Sequence, residues 1–99
     1  MIVIAELMWP PDKASDIGKA FLNVPPLPEY ITMKGPFISS VLGKGVRSIS
    51  IYEFDASKVE DANKAIGQRY MPYMEVPGFG YEIKIWQEAQ DALELIGLA

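Results

Sequence analysis

The chain has 99 residues, with 13 acidic and 9 basic side chains, a net charge of −4, and neither cysteine nor histidine. A chain of this length forms one domain, spanning 1–99, and its acidic balance disfavours a phosphate backbone, so no nucleic-acid partner is expected. The missing residue types exclude disulfides, thiol nucleophiles, imidazole acid–base chemistry and Cys or His metal sites, and 49% apolar residues exclude disorder.

The opening run Ile2–Trp9 is β-rich and predicts a strand, stopped by Pro10-Pro11 because proline cannot donate to a ladder. The run is too short for a membrane span, is broken by Glu6 and lacks a basic leader, so a cytoplasmic protein without membrane contact is expected. Asp12 is placed to cap a helix whose apolar face is Ala14, Ile17, Phe21 and Val24. A proline-rich connection over 23–29 follows. Tyr30–Lys34 and Phe37–Leu42 then predict a second strand, interrupted at Gly35-Pro36 by a bulge or kink.

Gly43-Lys44-Gly45 is a hairpin signal rather than a phosphate loop, since it joins strand to strand, and the alternating run Val46–Phe54 is the third strand. Ser57 with Glu60 reads as a capping box opening a second helix with apolar face Val59, Ala62, Ile66 and Tyr70, broken by Pro72. Pro77-Gly78 is a turn, Phe79–Trp86 the fourth strand, and Ala89, Ala92, Leu93 and Ile96 mark a short tail helix ended by Gly97.

The first helix segment, Lys13-Ala-Ser-Asp16-Ile-Gly-Lys19-Ala20-Phe21, recurs as Lys58-Val-Glu-Asp61-Ala-Asn-Lys64-Ala65-Ile66. Each copy follows a strand and an acidic turn, which suggests a strand–helix–strand unit used twice. The implied class is α+β, a ferredoxin-like β-α-β-β-α-β order with a short C-terminal helix and a sheet ordered 4-1-3-2. Both helices then cover one face of the sheet. No strand has a wholly polar face, so the other face stays apolar and calls for a second copy of the chain, or for the tail helix folded back over it.

Val3-Ile4-Ala5-Glu6-Leu7 with Pro11, and Ile51-Tyr52-Glu53-Phe54 with its acidic turn, resemble the first and third strands of the antibiotic-biosynthesis-monooxygenase family. Pro72-Tyr73-Met74-Glu75 is similar to a run in muconolactone-isomerase-like proteins. The resemblance implies the dimeric α+β barrel superfamily, in which two ferredoxin-like sheets close face to face around a cavity. Haem-degrading relatives use an Asn, a Trp and a His where this chain has Leu7, Phe54 or Asp55, and no histidine at all, so haem chemistry is not implied.

By this resemblance Leu7, Trp9, Ile49, Ile51 and Glu53 face the cavity, with Glu53 as the catalytic base and Ser48 and Ser50 beneath the helices. Glu53 could instead pair with Arg47, and Glu6 could pair with Lys84 across neighbouring strands. Tyr70, Tyr73 and Trp86 could stack on a planar ligand. Two functions compete: a cofactor-independent monooxygenase or isomerase acting on a small aromatic or enolisable compound, and a non-catalytic module that binds a small apolar ligand or assembles. Neither calls for a metal or a cofactor, and the partner in both is a second copy of the chain.

Overall fold

The computed structural model describes residues 1–98. Strands β1 (Ile2–Trp9), β2 (Thr32–Val41), β3 (Gly45–Glu53) and β4 (Gly80–Trp86) form one antiparallel sheet in the order β2-β3-β1-β4. Helix α1 (Ala14–Phe21) connects β1 to β2, α2 (Val59–Gln68) connects β3 to β4, and α3 (Ala89–Leu95) follows β4. The chain is α+β.

The two related segments adopt one local form. Short 3-10 turns, Pro11–Lys13 and Ala56–Lys58, lead into α1 and α2, and the N-cap residues Lys13 and Lys58 have φ/ψ of −102°/6° and −102°/12°. The inserted turns move the first free N–H groups upstream, so the expected caps change. Asp12 makes no capping bond. The Ser57–Glu60 box gives way to Asp55, whose carboxylate accepts the Ser57 backbone N–H at 2.9 Å. That bond holds the exposed Asp55 carboxyl below its usual range.

Antiparallel register settles which residues share a face, because directly opposed residues point the same way. Leu7 opposes Ser48 and Ala5 opposes Ser50, so Val3, Ala5, Leu7 and Trp9 lie with Ser48, Ser50 and Tyr52 beneath the helices, all buried. Ile17 and Ala20 of α1 and Ala62 and Ile66 of α2 close this core, with Tyr70 and Tyr73 beyond α2. The predicted α1 face shifts accordingly: Ala20 is buried, whereas Ala14 is exposed and Phe21 half exposed.

The predicted interruption of β2 is a bulge. Register slips between Lys34 and Phe37, around a cis Gly35–Pro36 peptide. Gly35 has φ +93°, and a Cβ there would stand 2.8 Å from the Ile49 carbonyl oxygen, so glycine is required.

The opposite face carries Ile4, Met8, Phe37, Ile49, Ile51 and Trp86, with Phe37 60% and Trp86 51% exposed. Helix α3 does not cover it. Every residue of α3 is exposed, and the helix ends where Leu98 N–H reaches the Leu93 carbonyl at 2.9 Å past Gly97, at φ +77°. Two ion pairs edge this face, Lys34–Glu53 at 3.3 Å and Lys84–Glu82 at 2.6 Å. They replace the expected Arg47–Glu53 and Glu6–Lys84 pairings: Lys34 lies beside Glu53 on the neighbouring strand, and Glu6 stands opposite Glu82 rather than Lys84. The Glu82 hydrogen bond raises the Lys84 ammonium above its ordinary value.

Candidate functional site: a cavity between sheet and helices

A half-open cavity of about 390 Å³ lies between the helix-side face of the sheet, α1 and the segment Arg69–Tyr73 that follows α2. Its origin is local. Ser48 and Ser50 are two small side chains in the middle of β3, flanked by Leu7 of β1 and Ile38 of β2, and the sheet surface dips where they stand. Ile17 and Phe21 of α1 roof it, Met33 and Pro36 border it from β2, and Trp9 and Val46 border it at the strand ends. The Gly35–Pro36 bulge thus serves the cavity, because it brings Pro36 to the wall.

The polar groups in this apolar wall are few. Tyr52 and Tyr70 share a buried hydrogen bond of 2.6 Å between their hydroxyls. One proton lies between the two oxygens, which leaves one further O–H to donate. Burial, reinforced by Tyr52, pushes the Tyr70 phenol far above its usual range, and burial also raises Tyr73. Both therefore keep their protons at neutral pH. Tyr70, Tyr73, Phe79 and Tyr81 form a closed set of rings with centroid spacings of 5.3–6.3 Å, which stiffens this end of the wall.

Arg69, one residue beyond the C-terminal end of α2, donates from one Nη to the Pro25 carbonyl at 2.6 Å and from the other to Met33 Sδ at 3.7 Å. These bonds fasten the proline-rich connection to the body. Arg69 Nε and Trp9 Nε1 are buried and have no hydrogen-bond partner among the described residues. Among the described residues, Arg69 carries the one charge in the cavity wall, and no carboxylate lines it.

The residues singled out from sequence separate across the sheet. Leu7, Trp9, Tyr70 and Tyr73 line the cavity. Ile49, Ile51, Glu53 and Trp86 lie on the uncovered face, with Glu53 paired to Lys34. The expectation that Leu7 and Trp9 share a face with Ile49, Ile51 and Glu53 is corrected by one position of parity: Leu7 opposes Ser48, not Ile49. Trp86 is likewise apart from Tyr70 and Tyr73, so the three aromatics do not converge on one planar ligand. This cavity lies on the helix side of the sheet, the face opposite the one expected to close against a second copy.

Sequence reasoning missed Arg69, Tyr52 and Met33. A signal for Arg69 was present: it stands three residues after Ile66, a basic residue in line with the apolar stripe of α2. Tyr52 follows Ser48 and Ser50 at period two on the same face.

Comparison with family models, with curated proteins and with solved structures finds no match in any of the three. Among the described residues no helix is long and apolar enough to cross a membrane, and no group of three Asp or Glu side chains is gathered to hold a metal ion.

Proposed function

We propose that this chain is a small-molecule-binding protein of the dimeric α+β barrel kind, ferredoxin-like in order, which takes a small aromatic or enolisable compound into the cavity between sheet and helices. The carrying observation is the cavity itself: about 390 Å³, walled by apolar side chains, with a few convergent polar groups. That combination of size and lining suits a ligand of one or two rings. The uncovered face supports a homodimer, because Phe37, Ile49 and Trp86 leave apolar side chains there that the chain does not hide.

Binding is favoured over proton-transfer catalysis. Glu53, the carboxylate suited to act as base, lies across the sheet from the cavity. The phenols of Tyr70 and Tyr73 hold their protons. A cofactor-independent oxygenase or isomerase working here would therefore receive a compound that ionises without help, and the wall would stabilise rather than generate the anion.

The test is a titration of ¹⁵N-labelled protein with a panel of one- and two-ring aromatics. The expected result is movement of the Trp9 indole N–H signal with the Trp86 signal unmoved, and loss of the response in Ser48→Leu, which fills the cavity floor. Absence of any binder, or a response confined to Trp86, overturns the reading.

A further inference from the structure

The charges in the cavity wall bear on the kind of compound it takes. The chain as a whole is acidic, with a net charge of −4. Its cavity has the opposite sign, because the one charge in the wall among the described residues is the Arg69 guanidinium. No carboxylate among the described residues stands within ion-pair distance of it, the two ion pairs being Lys34–Glu53 and Lys84–Glu82. Its bonds go to a neutral carbonyl and a thioether. A cation bordering apolar walls, with no counter-ion, favours any anion that enters.

Two further observations point the same way. Arg69 Nε and Trp9 Nε1 are N–H donors without acceptors, and Trp9 itself is 7% exposed. The hydroxyl pair of Tyr52 and Tyr70 has an O–H to give. The unmet capacity of the wall is therefore donor in character, and what completes it is a ligand rich in acceptor oxygen. Neither orphan nitrogen touches solvent, so each is a donor held inside the residues that border the cavity.

Resting on the reading that the cavity binds a small molecule, we infer that its ligand is an organic monoanion: an aromatic or alicyclic body carrying one carboxylate, with the carboxylate held by Arg69 and the rings against Leu7, Ile17 and Met33. Arginine suits this task because its planar fork matches two carboxylate oxygens. The apolar remainder of the wall would reject a second charge.

The test uses matched probes of one shape, 2-naphthoate and 2-naphthamide, titrated into the full chain by calorimetry and by the Trp9 indole signal. The expected result is naphthoate binding at least about tenfold more tightly than naphthamide. Arg69→Gln should abolish that preference and Arg69→Lys should keep part of it. Equal or tighter binding of the amide by the native protein overturns the inference while leaving the cavity reading intact. Binding of neither probe, nor of any neutral aromatic, overturns both. The native-protein comparison stands by itself if Arg69→Gln loosens the Pro25 connection and fails to fold.

Discussion

The same four strands build two faces of opposite character. On the helix side, Val3, Ala5, Tyr52 and Ile66 are sealed from water, and the buried tyrosine hydroxyls are paired. On the other side, Ile49 and Trp86 stand in solvent, and the ionic groups pair loosely at the surface. The two serines in the middle of β3 make the difference matter: they are buried, yet too small to fill the space above them. Residue types differ as well: the charged strand residues Glu6, Lys34, Arg47, Glu53, Glu82 and Lys84 all share the uncovered face, and the helix side has none among the paired positions.

Truncation should separate the faces most sharply. Ile66→Ala removes a side chain that is 1% exposed and should lower unfolding free energy by about 2–5 kcal/mol in urea titrations. Ile49→Ala, at 38% exposure, should cost less than about 1 kcal/mol if the face is bare in solution. A comparable loss at both positions would show that Ile49 is covered, as a second copy would cover it, and light scattering on both variants would then report the mass. Tyr52→Phe should cost about 1–3 kcal/mol, because the Tyr70 hydroxyl keeps its burial and loses its partner, and Tyr52→Phe with Tyr70→Phe should recover part of that loss in a double-mutant cycle.

Smaller effects test the open side. Glu53→Gln removes an ion pair whose side chains are 62% and 44% exposed, and should change stability by no more than about 1 kcal/mol, less at high salt. Asp55 should show the smallest effect. Its folded-state carboxyl sits below the ordinary 3.8, so its contribution is complete above that pH and fades as pH falls through the lower folded value. An acid titration of the native protein against Asp55→Asn, followed by thermal midpoints, should therefore show curves converging below about pH 4 and separated above it.

Periodicity made the elements legible. The strand runs, the bulge at Gly35-Pro36, the Gly43–Gly45 hairpin and the stop at Gly97 all follow from turn chemistry and alternation. Register was not legible, because pairing Leu7 with Ser48 rather than Ile49 depends on long-range geometry that no local pattern encodes. That single step divided the expected ligand residues between two faces of the sheet. Arg69 was legible only in part: its place in line with the apolar stripe of α2 was a signal, but its bond to the Pro25 carbonyl is a long-range contact that no local pattern encodes.

The kinked edge of the sheet has one more consequence. β2 is an outer strand, and Pro36 offers no amide hydrogen to a neighbouring molecule just where the ladder is already broken. Fibril-like stacking through that border is thereby discouraged, which leaves β4, the other outer strand and one without proline, as the edge where strand addition could start.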